Sequence, residues 1–152
     1  MAKWGATDAG YKPLFDRLVD EAPKQRQPES TPARTLDLEE LKVSVAKELE
    51  TLLSTRCTVS GDVALSRPRT ILDYGMPDLD QGGKTIVSED RMRLIRLIRE
   101  TIEAFEPRLR NLSVEVEQDQ DERTRLLVNI DGLLLIEDVR EPISFQMPLG
   151  AG

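Results

Sequence analysis

The stretch Ile102-Glu-Ala-Phe-Glu-Pro-Arg-Leu-Arg-Asn-Leu-Ser-Val-Glu-Val-Glu117 changes its hydrophobic period partway along. Upstream of Pro107 the apolar residues recur at helical spacing. Downstream, Leu112, Val114 and Val116 alternate with Ser113, Glu115 and Glu117, the period of a half-buried strand. Pro107 cannot extend a helix and moves Glu106 away from helical angles. A helix-to-strand corner is therefore predicted at Glu106–Pro107–Arg108.

Reading back from the corner, a helix opens at Ser88, an N-cap residue followed by Glu89 and Asp90 where the helix dipole favours acids. Ile95, Ile98, Ile102 and Phe105 form its expected buried stripe, with Met92 and Leu94 beside it. Four arginines and four acids share residues 88–105, which reads as a solvated face laced with ion pairs. Reading forward, Leu126, Val128 and Ile130 alternate again after an acidic hairpin loop at 118–122. Asp131-Gly132 marks a bulge or bend before Leu133–Ile136. Ile143, Phe145 and Met147 form a third strand whose Pro142 suits a sheet edge.

An earlier helix is signalled by the stripe Leu38, Leu41, Val45, Leu49 and Leu52, opened by Asp37 with Glu40 three places on, a capping box. Between the helices, residues 62–83 carry Pro68, Gly75, Pro77, Gly82 and Gly83, so regular structure is not expected there. In that loop Ile71, Leu72, Met76 and Leu79 are expected to turn inward, leaving Arg67, Arg69, Asp73 and Asp78 for polar contacts. Cys57 is expected to pack at the end of the first helix as a small hydrophobe. The predicted fold is α+β: two main helices packed on a small, mostly antiparallel open sheet, with a long structured loop between the helices. Residues 35–149 form the single domain. Residues 1–34 hold four of the nine prolines and read as a flexible arm with a short docking element at 11–20. That element either meets a partner or caps its own domain.

The composition excludes several chemistries. The 152 residues include no histidine, which removes the commonest general base and metal ligand. A single cysteine permits neither an intrachain disulfide nor a thiolate metal cluster. No apolar run approaches a membrane span and no signal-peptide core is visible, so a cytoplasmic protein without membrane insertion is expected. The formal charge of -7 opposes nucleic-acid binding. Protein partners are the expectation, with no cofactor or metal.

Two motifs stand out. The loop Arg67–Leu79 contains the tight turn Tyr74-Gly75-Met76-Pro77; it serves either a partner or its own core edge. At the corner, Glu106 and Arg108 form a rigid charged pair, suited either to a partner or to an internal brace. Together they carry a resemblance. Asp73-Tyr-Gly-Met-Pro-Asp-Leu79 resembles the YG(L/I)PDL loop, and Glu106-Pro-Arg-Leu109 the EPRL corner, of the lysozyme-like baseplate family of contractile phage tails and type VI secretion systems. Leu14-Phe-Asp-Arg-Leu18 is similar to the LL(D/E)RL opening of its secretion branch, TssE. Spacing and order agree over residues 14–149, with Thr70 and Asp73 standing where serine and asparagine are common.

The resemblance implies a structural subunit that sits in the baseplate wedge with TssF and TssG and joins it to the first sheath ring of TssB and TssC. It implies a fold similar to the sheath's strand-exchange domain. Partner contacts are expected at Glu106, Pro107, Arg108 and Leu109, at Tyr74, Gly75, Met76, Pro77, Asp78 and Leu79, and at Leu14, Phe15, Arg17 and Leu18. The strand with Ile143, Phe145 and Met147 is expected to be the edge that receives sheath strands.

The alternative is a glycoside hydrolase acting on peptidoglycan, as the family's lysozyme label suggests. It needs two carboxylates about 5 to 9.5 Å apart, one with a raised pKa. Glu103, Glu106, Asp73 and Asp78 are nominable, but Arg108 beside Glu106 opposes the proton an acid must carry. Aromatic platforms for sugar are scarce, Trp4, Tyr11 and Tyr74 being the main ones. No catalytic residue is assigned.

Overall fold

The structure is a computed structural model that describes residues 10–11, 35–78, 88–118, 126–136 and 139–149. Two compact units make up the chain, Met1–Lys47 and Glu48–Gly152. In the first, β1 (Gly10–Tyr11) pairs antiparallel with β2 (Thr35–Leu36). Helix α1 (Leu38–Ser54) starts in this unit and ends in the second. Its start is the predicted capping box: Glu40 N donates to Asp37 Oδ1 at 2.8 Å and Asp37 N donates to Glu40 Oε2 at 3.1 Å, satisfying two donors a helix start leaves open. The predicted stripe is buried from Leu41 through Leu52. Apart from Tyr11, the docking element at 11–20 lies outside the described residues.

The second unit corrects the reading of residues 62–83. The chain leaves α1 into β3 (Arg56–Ser60), turns through the short helix α2 (Gly61–Ser66) and a 3-10 turn at Ile71–Asp73, and returns as β4 (Met76–Asp78) parallel to β3. Ser60 caps α2, its Oγ accepting from Val63 N at 3.5 Å. The proline and glycine content suggested irregular chain because β4 is only three residues long and its partner lies far off in sequence. Cys57 is buried on β3 and not at the helix end.

Helix α3 (Ser88–Phe105) ends one residue before Glu106, as Pro107 requires. Its buried stripe is Leu94, Leu97, Ile98, Thr101 and Ile102, while Met92 is 68% exposed. The buried face is thus rotated from the expected one, because Leu97 and Thr101 complete an i, i+3, i+4 pattern that Ile95 and Met92 do not share. Each fully buried Leu or Ile contributes about 1.5 to 3 kcal/mol. On the solvated side Arg96 pairs with Glu100 at 2.8 Å, as expected within the helix, while Arg93 reaches across to Asp62 of α2 at 2.6 Å, a pairing the helix segment alone did not announce.

Alongside α3 runs a three-stranded antiparallel sheet in the order β5 (Leu109–Gln118), β6 (Leu126–Ile136), β7 (Val139–Leu149). Val114, Val116, Val128, Ile130, Leu134, Ile143 and Met147 are buried at alternate positions, and α3 lies against β5. The bulge foreseen near Gly132 exists, but β5 carries it. Asn111 and Leu112 oppose the single residue Gly132, and Asn111 takes φ 52°. A Cβ on Gly132 would come within 3.0 Å of Leu112 Cδ2, so the glycine makes room for the bulge across from it. The fold is α+β as expected, with a parallel β3–β4 pair added.

Candidate functional site

The corner folds inward. Glu106 N donates to Ile102 O at 2.8 Å to finish α3, and Leu109 N donates to Glu106 O at 3.1 Å to begin β5. Held by both elements, the Glu106 carboxylate is only 5% exposed. Arg108 meets it side on: Nε donates to Oε1 at 2.7 Å and Nη2 donates to Oε2 at 2.5 Å. Arg108 Nη2 also donates to Glu48 Oε2, on the C-terminal half of α1. One guanidinium therefore ties the end of α1 to the corner of α3 and β5. Burial pushes the Glu106 carboxyl up, but Arg108 outweighs it and holds the group below the usual carboxylate range. For Glu48 the balance reverses: burial and the neighbouring Glu106 raise its carboxyl despite Arg108. Pro107 is exposed, Arg108 half-buried and Leu109 fully buried.

The loop is ordered around two arginines. Arg67 forks onto Asp73, Nη1 to Oδ2 at 2.7 Å and Nη2 to Oδ1 at 2.9 Å. Thr70 N and Oγ1 donate to the same Oδ2 at 2.8 and 2.9 Å. These donors hold the Asp73 carboxyl far below its ordinary value, Arg67 contributing most. Arg69 Nη2 donates to the carbonyls of Asp73 and Gly75, both at 2.6 Å, and Nη1 to Thr101 Oγ1 at 3.3 Å on α3. Gly75 takes φ 105° and a Cβ there would sit 2.5 Å from Thr55 O. Only glycine allows the neighbouring Met76 N to donate to that carbonyl at 2.8 Å and start β4.

Phe105 joins loop and corner. Its ring receives the Tyr74 ring edge-on at 5.3 Å and the Arg69 guanidinium at 5.5 Å from its centroid, geometries that favour aromatic and cation contacts. Burial, with the charges of Glu48 and Glu106, raises the Tyr74 hydroxyl pKa. The two motifs are one continuous region. Of the residues assigned to it, Gly75, Met76 and Pro77 are buried, and Asp78 stands opposite Ser60 in the β3–β4 ladder. Leu79, Leu14, Phe15, Arg17 and Leu18 lie outside the described residues. The accessible part is Tyr74, Pro107 and part of Arg108.

The inward reading of the loop's apolar residues is half corrected. Met76 is buried, but Ile71 and Leu72 are 83% and 85% exposed, while Asp73 is 3% exposed. Glu48, Arg69 and Thr101 were not singled out as site residues. Arg69 is expected only to make polar contacts, which it does within the loop; the parts played by Glu48 and Thr101 depend on pairings with distant segments that no local pattern marks.

The third assigned region is β7, an edge of its sheet. Leu135 N donates to Arg108 O at 2.8 Å, so odd-numbered β6 residues turn their backbone groups toward the β5 side. The even-numbered ones then face β7, opposite Ile143, Phe145 and Met147. By alternation the backbone groups of Pro142, Ser144, Gln146 and Pro148 point to the outer edge. Both prolines thus sit where a missing N–H costs the internal ladder nothing. Ile143 and Met147 bury their side chains and Phe145 is half-buried.

A family model for baseplate wedge protein gp25 matches residues 39–139. Among solved structures, the chain is similar to a chain from "The baseplate complex from the type VI secretion system", with TM-score 0.52 and 16% identity over 74% of this chain and 97% of that one. It also matches a putative tail lysozyme from Geobacter sulfurreducens, with TM-score 0.42 and 15% identity over 70% and 92% of the respective chains. No curated protein sequence matches.

Proposed function

This chain belongs to the baseplate wedge protein gp25 family, and from that premise we propose that it is the TssE-type wedge subunit of a type VI secretion machine, working in the cytoplasm. Its role is that of a structural baseplate component. It binds TssF and TssG through the region joined by Phe105 and passes the assembly on to the first TssB/TssC sheath ring through the outer edge of β7. The N-terminal segment around Leu14–Leu18 adds a tethered contact that raises overall affinity through effective concentration.

The observation that carries this reading is the Glu48–Arg108–Glu106 brace. It fixes Pro107 and the free face of Arg108 in one orientation, so a partner meets a preformed corner and little ordering entropy is lost on binding. The β7 edge supports the sheath contact. Outward backbone groups between Pro142 and Pro148 offer donors at Ser144 and Gln146 and acceptors at all four positions, enough to register a short added strand.

The same brace argues against a glycosidase. Glu106 is held ionised by Arg108 and cannot keep the proton a general acid donates. Asp73 is buried under Arg67 and Thr70, with its lone pairs engaged. The test is co-purification with TssF and TssG, together with sheath assembly on the reconstituted wedge. Stable recovery of a three-subunit complex is expected. No association with either subunit, or release of muropeptides from peptidoglycan by the purified protein, overturns the proposal.

A further inference from the structure

The 3-10 turn after Arg69 inverts the usual placement of side chains. Ile71 and Leu72, two large aliphatics, are 83% and 85% exposed, while the carboxylate of the next residue, Asp73, is buried. Burying a carboxylate is costly unless it is fully hydrogen-bonded, and this one is, by Arg67 and by Thr70 from both backbone and hydroxyl. A loop that merely covered the core would bury the aliphatics and leave the acid in water.

The turn is also rigid from both sides. Asp73 N donates to Thr70 O at 2.9 Å, and Arg69 grips the carbonyls of Asp73 and Gly75 that follow it. Two apolar side chains on a locked turn lose little conformational freedom when they insert into another surface. We propose that Ile71 and Leu72 form an apolar plug that inserts into a preformed apolar pocket on a neighbouring wedge subunit.

The occupant follows from charge and position. Arg67 is neutralised by Asp73, and Arg69 is turned away from the tip onto Thr101 and the carbonyls of Asp73 and Gly75, so the tip itself presents only apolar side chains and fits an apolar pocket. A bilayer is the wrong surface: the chain carries a formal charge of -7, which anionic lipid repels, and two side chains are too few to anchor a protein in lipid. The plug is continuous with the accessible corner, because Tyr74, next after Asp73, packs on Phe105 and Phe105 precedes Glu106. In this respect the inference rests on the wedge reading above and adds a contact to it.

The test compares capture of a purified TssF–TssG complex by the full-length wild type, by the double variant Ile71→Asp/Leu72→Asp, by the conservative Ile71→Val/Leu72→Met, and by Val43→Asp, an exposed apolar position elsewhere. At least tenfold weaker capture by the acid pair is expected, with the other two variants near wild type and circular dichroism unchanged. Capture by the acid pair equal to wild type overturns the plug alone. No capture by wild type overturns the wedge reading and the plug with it. As a second readout, a photo-crosslinker at position 72 is expected to join TssF or TssG, and its failure in a complex that does form overturns the plug. Wild-type binding to anionic vesicles that the acid pair abolishes also overturns it, in favour of lipid.

Discussion

Arg108 holds Glu106 through two parallel hydrogen bonds, Nε to Oε1 at 2.7 Å and Nη2 to Oε2 at 2.5 Å, across the single intervening residue Pro107. The fork geometry needs a planar guanidinium. Arg108→Ala leaves a buried carboxylate without its partner and is expected to cost about 3 kcal/mol or more of unfolding free energy. Arg108→Lys should recover only part of it, since an ammonium cannot span Glu106 and Glu48 in the same way. Urea denaturation of the three proteins checks this; a lysine variant as stable as wild type contradicts the bidentate account.

The two carboxylates on Arg108 should respond to pH with opposite signs. The folded-state pKa of Glu106 is lowered, so its stabilising contribution is present above the unfolded value of about 4.3 and fades as pH falls below it. That of Glu48 is raised, so its ionisation costs the fold stability as pH rises through and above the same value. Glu106→Gln should therefore lower stability at pH 7 more than Glu48→Gln, and should flatten the loss on acidification. Glu48→Gln should steepen that loss. Unfolding free energies measured from about pH 2.5 to pH 7 decide the matter, and equal effects of the two substitutions at pH 7 would refute the asymmetry.

Two glycines should differ sharply in tolerance. At Gly75 a methyl meets the Thr55 carbonyl at 2.5 Å on a backbone with φ 105°, and neither can yield without breaking the Met76–Thr55 hydrogen bond that starts β4. Gly75→Ala should cost about 2 kcal/mol or more. At Gly132 a Cβ meets the end of the Leu112 side chain at 3.0 Å, which can rotate away, and the Arg110 carbonyl oxygen at 3.2 Å, which has to give by only a few tenths of an ångström on a backbone without positive φ. Gly132→Ala should cost about 1 kcal/mol. Thermal melts of the two variants test the order.

Periodicity explains what the sequence disclosed and what it hid. α1 and α3 repeat a helical stripe along their length, each of the three long strands alternates over at least five residues, and Pro107 punctuates the change from one period to the other, so their type and order were legible. β3 and β4 are five and three residues long and owe their existence to each other, which no local window contains. Glu48 lies 60 residues from Arg108, and nothing around it sets it apart from the other acids of α1. The Ile71–Leu72 turn is too short to have a period. Its orientation is decided by where Asp73 finds its donors, a contest that hydrophobicity alone gets backwards.

The phase of β7 makes its edge testable without unfolding the sheet. Ser144 points its N–H outward, between two prolines of the same phase, so Ser144→Pro removes a donor that the internal ladder does not use and should change stability by less than about 1 kcal/mol. Phe145 points its N–H toward β6, and Phe145→Pro breaks that ladder, costing about 3 kcal/mol or more. Only the first variant separates strand addition from folding. Ser144→Pro is expected to keep its circular dichroism spectrum and its capture of TssF and TssG while failing to nucleate a TssB/TssC sheath on the reconstituted wedge. Sheath assembly at the wild-type rate by a folded Ser144→Pro protein would show that the sheath does not add a strand to this edge.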